Sequence, residues 1–320
     1  MPRKRILLTR RIPGPAMALL SRRFEVDLNL ADRALTPAGL RRRIRRAHGL
    51  LCLPSDRIDR PVMEAAACLE GIANCAVGVN NIDLEAAHRR GITVTNTPGV
   101  LTAATADLTW ALILAVTRRV VEGDRMVRAG RFRGWGPELL LGSSLEGKVL
   151  GVIGMGRIGR AVAGRAAAFS MQLAYFSRTR LSPGEEARMQ ARFLPLRKLL
   201  ATADVLTIHL PLSRQTRGLL RAGEFGAMKR GAYLVNTSRG EILEESALIG
   251  ALKSGRLAGA GLDVYAREPH IPAALLRMRQ VVLLPHIGSA TRETREAMAM
   301  TAANNLLAIL SGKEPPNRVI

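Results

Sequence analysis

The chain is poor in aromatics, cysteine, lysine and acid, and each shortage removes a class of function. Phe, Trp and Tyr make up 3% of its 320 residues, which leaves few platforms on which single-stranded bases could stack. The three cysteines, Cys52, Cys68 and Cys75, form no C-x-x-C pair and no metal-type spacing with the five histidines. A sparse, odd count of that kind points to reduced thiols in a cytoplasmic protein, with no disulfide framework and no metal site. Long hydrophobic runs are missing as well. The run Ile6-Leu-Leu8 is too short for a signal-peptide core, and the apolar helical stretch Leu108–Val116 falls short of the roughly 20 residues of a membrane span. No membrane partner is expected.

Acid is scarce beside base: 48 Lys and Arg, 42 of them arginine, face 26 Asp and Glu, for a net charge of +22. Such a charge invites a polyanionic partner. The arginines, however, run from Arg3 to Arg318 and gather in no single patch. Their densest cluster, Arg41, Arg42, Arg43, Arg45 and Arg46, falls on a helix expected over Pro37–Ala47, where Leu40, Ile44 and Ala47 share the opposite face. That is the pattern of a solvated helix face. A general preference for Arg and Ala accounts for the excess, and nucleic acid is not the expected partner.

What is present is ordinary for a globular protein: 48% hydrophobic and 23% charged residues. The length favours two domains, since one core rarely grows past roughly 250–300 residues. Short β-type runs alternate with helical patterns, the signature of α/β architecture with parallel sheets. A first series covers strands at Arg5–Thr9, Glu25–Leu28, Gly49–Leu53, Ile72–Val77 and Thr93–Thr95. Pro98-Gly99 breaks the pattern, and one long helix is expected from Thr102 to Ala129. A second series begins at Gly147, with a helix over Ile158–Phe169 and strands at Val149–Ile153, Gln172–Phe176, Val205–His209, Tyr233–Asn236, Ala258–Asp263 and Val281–Leu284. A last helix, Thr291–Leu310, can pack back onto the first series.

The second series opens with Val149-Leu-Gly-Val-Ile-Gly154-Met155-Gly156-Arg157-Ile158-Gly159, a G-x-G-x-x-G directly after a strand and at the start of a helix. Gly154 permits the tight turn, Gly156 lets a pyrophosphate approach the backbone, and Gly159 allows close helix–strand packing. The helix N-terminus, with Arg157 beside it, offers N–H donors to the phosphates. An NAD site usually places Asp or Glu at the end of the second strand to bond the ribose 2′-OH. Here that strand is followed by Ser177, Arg178, Thr179 and Arg180, and no acidic residue occurs between Arg160 and Glu185. Hydroxyls and guanidinium groups suit a 2′-phosphate, so NADPH is expected over NADH, with NADH possible.

Three further segments close later strands, where doubly wound sheets place their ligands. They are Leu234-Val-Asn-Thr237-Ser238-Arg239-Gly240, Gly261-Leu-Asp263-Val-Tyr-Ala-Arg-Glu268-Pro269 and Leu284-Pro-His286-Ile-Gly288-Ser289. Together with the glycine cradle, Asn74-Cys-Ala-Val77-Gly78-Val79-Asn-Asn-Ile-Asp83, Asn96-Thr-Pro-Gly99, Ala104-Thr-Ala-Asp107 and His209-Leu210-Pro211-Leu212, they resemble the D-2-hydroxyacid dehydrogenase family. The glyoxylate/hydroxypyruvate reductase branch fits best, with Arg, Glu and His spaced by 29 and then 18 residues. The resemblance covers nearly the whole chain.

The resemblance implies a catalytic set of Arg239, Glu268 and His286, and the chemistry supports each role. His286 would give a proton to the alkoxide formed at C2. Glu268 would hold it in its proton-donating form, and Arg239 would grip the substrate carboxylate and polarise the carbonyl. Cofactor contacts are implied at Gly154–Gly159, Ser177–Arg180, His209, Leu210, Pro211, Thr237, Ser238, Arg239, Asp263, His286, Gly288 and Ser289. Substrate contacts are implied at Leu53, Val77, Gly78, Val79, Arg239, His286 and Trp135, the last reaching a partner subunit's pocket in a homodimer.

The fold implied is two doubly wound parallel-sheet domains: a flavodoxin-like substrate-binding domain, 1–98 with 287–320, and a Rossmann dinucleotide-binding domain, 99–286. The site would lie in the cleft between them, with hinges near Pro98 and after Pro285. A rival function comes from dinucleotide-sensing transcriptional corepressors that resemble the same family, which would make the chain a nucleic-acid-associated protein.

Overall fold

The computed structural model describes residues 3–31 and 33–320. The chain divides into two compact units, one made of Met1–Leu101 and Ser289–Ile320, the other of Thr102–Gly288. The crossings fall three residues after Pro98 and two after His286.

The first unit alternates β1 (Arg5–Leu8), α1 (Ala16–Arg23), β2 (Glu25–Leu28), α2 (Pro37–Ile44), β3 (Gly49–Cys52), α3 (Arg60–Glu64), β4 (Gly71–Asn74), α4 (Leu84–Arg89) and β5 (Thr93–Thr95). Its five strands are all parallel in the order β2-β1-β3-β4-β5, the flavodoxin order. β3 and β4 are buried at every position, as strands covered on both faces must be. α2 begins where the Thr36 hydroxyl accepts the Gly39 N–H at 3.1 Å, with Pro37 at the first helical position. Its Leu40 and Ile44 are buried, while Arg41, Arg42, Arg45 and Arg46 face solvent.

The second unit begins with α5 (Thr102–Thr117) and α6 (Val120–Arg128) and continues through β6 (Val149–Ile153), α7 (Arg157–Ala163), β7 (Gln172–Phe176), α8 (Pro183–Met189), β8 (Ala191–Phe193), α9 (Leu196–Thr202), β9 (Val205–Ile208), α10 (Ala222–Ala227), β10 (Ala232–Asn236), α11 (Glu245–Lys253), β11 (Leu257–Leu262), α12 (Ala273–Arg277) and β12 (Val281–Leu283). The seven strands are parallel in the order β12-β11-β10-β9-β6-β7-β8. The order reverses beside β6, and in open α/β sheets that switch point is where ligands bind. α13 (Arg292–Leu310) returns the chain to the first unit, where it packs on β3, β4, β5 and α1. Behind it Val319 donates to Val94 O at 2.8 Å, closing the tail onto β5.

The structure corrects the sequence reading in two helices. The long helix expected over Thr102–Ala129 is broken, because Arg119 takes a left-handed backbone (φ 54°) between α5 and α6. The helix expected over Ile158–Phe169 is α7 followed by a separate 3₁₀ turn at Ala166–Phe169.

Candidate active site

The glycine loop between β6 and α7 is built to leave donors free. The N–H groups of Met155, Gly156, Arg157 and Ile158 have no protein partner among the described residues. Space in front of Gly156 is open, since a Cβ there would meet nothing within 4 Å. Gly159 is the opposite case: a Cβ would fall 1.9 Å from Gly154 O, so only glycine lets α7 lie this close to the strand end. Arg160 fixes the loop from behind, donating to Met155 O at 3.1 Å and pairing with Glu185. A row of unused N–H groups at a helix start is the donor set a pyrophosphate requires.

At the end of β7, Ser177 to Arg180 divide into different roles. Arg178 is exposed and has no partner among the described residues. Arg180 instead spends Nε and Nη2 on Glu186, at 2.8 and 2.7 Å, and lies over the Phe193 ring. Tyr175 joins the cluster, donating to Glu186 at 2.5 Å while its hydroxyl accepts the Leu181 N–H. The hydrogen bonds from Arg180 and Tyr175 hold the Glu186 carboxyl down to about 2, and those from Arg160 and Ser182 do the same for Glu185. Both carboxylates nearest the strand end are therefore already paired. At the end of β9, His209 continues the sheet through its N–H to Ile153 O at 2.8 Å. Its buried Nε2 has no partner among the described residues, and burial pulls the imidazole down to about 3, so it is neutral near pH 7.

Arg239, Glu268 and His286 all belong to the second unit and come from the ends of β10, β11 and β12. Asn236 shapes the first of these turns: its amide donates to Arg239 O at 2.9 Å and accepts from the Ser238 N–H and hydroxyl. Gly240 then presses against the next segment, where a Cβ would meet Tyr265 C at 1.9 Å. Burial lowers the pKa of Arg239, opposed by the charges of Glu268 and Glu241. Glu268 Oε2 lies 2.7 Å from His286 Nδ1, and Oε1 accepts the Tyr265 N–H at 3.1 Å. Burial alone would raise the Glu268 pKa; the His286 bond and charge, the Tyr265 N–H and Arg239 bring it below its ordinary value. With Nδ1 engaged, Nε2 is the nitrogen of His286 left to meet a substrate.

His286 itself has a left-handed backbone (φ 54°), and Asp263 holds the turn that follows. One Asp263 oxygen accepts the Ile287 N–H at 2.7 Å, the other the Gly288 N–H at 2.8 Å. Burial raises the Asp263 pKa against those two bonds and the His286 charge. Sequence reasoning missed Asn236 and Tyr265, whose only signal is their place inside motifs already picked out for Arg239 and Glu268.

The expected substrate residues of the first unit form their own construction. The carbonyls of Val77, Gly78 and Val79 are all taken, by Asn96 Nδ2 at 2.8 Å, Asn74 Nδ2 at 2.8 Å and the Ile82 N–H at 3.0 Å. Their three N–H groups have no protein partner among the described residues. Three successive N–H groups left without a protein partner offer the donors of an anion-binding nest. Asn81 bonds Leu53 O and Asp56 O, both at 3.1 Å, and so ties the Leu53 loop to the same network. In the second unit Trp135 is 86% exposed, with Val120, Val127, Phe132 and Leu141 also more than half exposed between α5 and β6. Among the described residues no helix is long and apolar enough to cross a membrane.

The chain is similar to known proteins. Residues 110–288 match the model for the D-isomer specific 2-hydroxyacid dehydrogenase, NAD binding domain. A glyoxylate reductase of Thermococcus litoralis is 45% identical across 98% of this chain and 96% of its own. A Thermus thermophilus crystal structure superposes with a TM-score of 0.93 at 50% identity, covering 99% of this chain and all of that one. An NADPH-dependent glyoxylate/hydroxypyruvate reductase from Sinorhizobium meliloti, solved with NADP and malonate, gives a TM-score of 0.87 at 34% identity over 99% and 97% of the two chains.

Proposed function

Because the chain belongs to the D-isomer specific 2-hydroxyacid dehydrogenase family, we propose that it reduces a small 2-oxoacid, glyoxylate or hydroxypyruvate, with NADPH preferred to NADH. The carrying observation is the Glu268–His286 pair at 2.7 Å beside the turn that bears Arg239. When bound, the nicotinamide supplies the hydride. Arg239 grips the substrate carboxylate and polarises the ketone through its planar fork. His286 releases a proton from Nε2 to the oxygen that has become an alkoxide, giving glycolate or the D-2-hydroxyacid. Glu268 keeps the ring oriented through Nδ1.

The rest of the chain fits this reading. The free N–H groups of Met155–Ile158 would hold the pyrophosphate, and the nest at Val77–Val79 is assigned to substrate contact together with Leu53. His209, Leu210, Pro211, Thr237, Ser238, Asp263, Gly288 and Ser289 are assigned to the cofactor. Arg178, with Ser177 and Thr179, is the group left to take a 2′-phosphate, because Arg180 is engaged by Glu186. A second copy of the chain covers the apolar segment around Trp135 in a homodimer.

The test is steady-state kcat/KM for glyoxylate and hydroxypyruvate with each cofactor, in the wild type and in Arg178→Ala. The variant loses roughly tenfold or more of its NADPH activity, a charge-assisted bond being worth about 1.5–3 kcal/mol, and far less of its NADH activity. Equal losses with both cofactors would remove Arg178 from cofactor choice.

A further inference from the structure

Helix α5 carries two threonines four residues apart, Thr105 and Thr109, that are 4% and 0% exposed. Thr105 Oγ1 donates to Gly288 O at 3.1 Å. Thr109 Oγ1 donates to Thr105 O at 2.8 Å and lies 2.9 Å from Thr237 Oγ1. A threonine hydroxyl has one hydrogen. That of Thr109 is committed to the Thr105 carbonyl, which can only accept, so Thr237 must be the donor in the second contact. The direction is thereby fixed: Thr237 donates to Thr109, Thr109 to the helix backbone, and Thr105 to Gly288.

The two ends of this arrangement are the two catalytic turns. Thr237 precedes Arg239 by two residues, and Gly288 follows His286 by two. The Gly288 peptide is held on both sides, its N–H by Asp263 and its C=O by Thr105. Helical threonines commonly bond a carbonyl of the preceding turn, and Thr117, Thr202 and Thr301 do so, to Ile113, Lys198 and Ala297. Thr105 differs: its hydroxyl leaves its own helix for the Gly288 carbonyl. Thr109 does bond its own helix, but it also receives Thr237 from a different strand end.

We propose that Thr105 and Thr109 are positioning residues that fasten the His286 turn and the Arg239 turn to one face of α5, and so set the two groups against each other. This rests on the roles given to Arg239 and His286 above. The two hydroxyls act on different steps. Thr109 works through Thr237 on the turn that grips the carboxylate, and Thr105 works through Gly288 on the turn that carries the proton donor.

The experiment is steady-state kinetics with glyoxylate and NADPH on Thr105→Val and Thr109→Val, which keep the shape and lose the hydroxyl. Thr109→Val raises the glyoxylate KM about fivefold and, because Arg239 also polarises the ketone, lowers kcat by up to about fivefold at an unchanged pH–rate profile, and Thr105→Val lowers kcat about fivefold at unchanged KM and alters the pH–rate profile. Fivefold is the worth of one net hydrogen bond of about 1 kcal/mol. Thr105→Ser and Thr109→Ser, which keep the hydroxyl, restore wild-type constants, and a melting curve for each variant separates these effects from misfolding. Unchanged constants in both Val variants, or kcat and KM moving alike in both, overturn the proposal, as does a failure of the Ser variants to restore them. The functional reading fails separately, through near-normal turnover in His286→Ala.

Discussion

Glu268 is surrounded by groups that favour its charge: the His286 ring at 2.7 Å, the Tyr265 N–H at 3.1 Å and the Arg239 guanidinium. Its carboxyl pKa is lowered despite burial, so the ionised form persists below the ordinary carboxylate range near 4.3. By linkage, the stability this adds is complete above that ordinary range and is lost only as the pH falls through the lowered value. Glu268 therefore adds no limb of its own to the pH–rate profile above about pH 5. Glu268→Gln keeps an acceptor for Tyr265 and removes the charge. Its kcat for glyoxylate falls about 10–100-fold, the worth of one charge-assisted hydrogen bond, while KM, set at Arg239, stays nearly constant. Wild-type kcat in this variant would leave the 2.7 Å contact without a role in proton transfer. At this scale the sequence was readable in where it puts Arg239, Glu268 and His286, after the ends of β10, β11 and β12, their roles being part of the proposal. It was not readable at Arg180, whose type and place suit a 2′-phosphate but whose fork is claimed by Glu186. That pairing depends on how the loop folds over Phe193 and Tyr175, which spacing alone does not encode.

At the scale of elements, the strands and the order of the two αβ series were legible because buried parallel strands read as short apolar runs between turn residues. Elements of three to seven residues, α3, α8, β8, α10 and α12, are too short to show a period. The break between α5 and α6 has a different cause. Nothing from Thr117 to Arg119 is a helix breaker, and the apolar pattern runs on through it. The helix ends because the returning chain takes a carbonyl: the Ser143 N–H donates to Thr117 O at 2.8 Å. That approach requires Gly142, where a Cβ would lie 2.3 Å from Thr117 O. Gly142→Ala must push two backbones apart, at about 1–3 kcal/mol, and lowers the melting temperature by roughly 3–10 °C for a domain of this size. Gly136→Ala in the same segment meets only Leu139 Cβ at 3.9 Å and serves as the control, with a shift near zero. Calorimetry on both variants decides it; equal shifts would mean that α5 ends for a reason other than this contact.

For the molecule as a whole, the question is what the +22 charge does. Arginines held by carboxylates add nothing to it: Arg43 pairs with Asp27, Arg160 with Glu185 and Arg180 with Glu186. The surplus is carried by unpaired arginines, and Arg41, Arg42, Arg45, Arg46, Arg157 and Arg178 are exposed with no ion-pair partner among the described residues. The proposed substrate and cofactor are both anions, and a basic surface raises the local concentration of each. Such a field reaches about 10 Å at 0.1 M salt and about 30 Å at 0.01 M. Raising NaCl from about 10 to 200 mM should therefore lower kcat/KM for glyoxylate severalfold while kcat, fixed by groups in close contact, holds. A surface selected for nucleic acid behaves differently, because release of condensed counterions makes binding fall by orders of magnitude over the same range. Kinetics across that salt series, with retention of duplex DNA measured in parallel, separates the two. A kcat/KM indifferent to salt would show that the surplus arginines act on neither anion and are compositional.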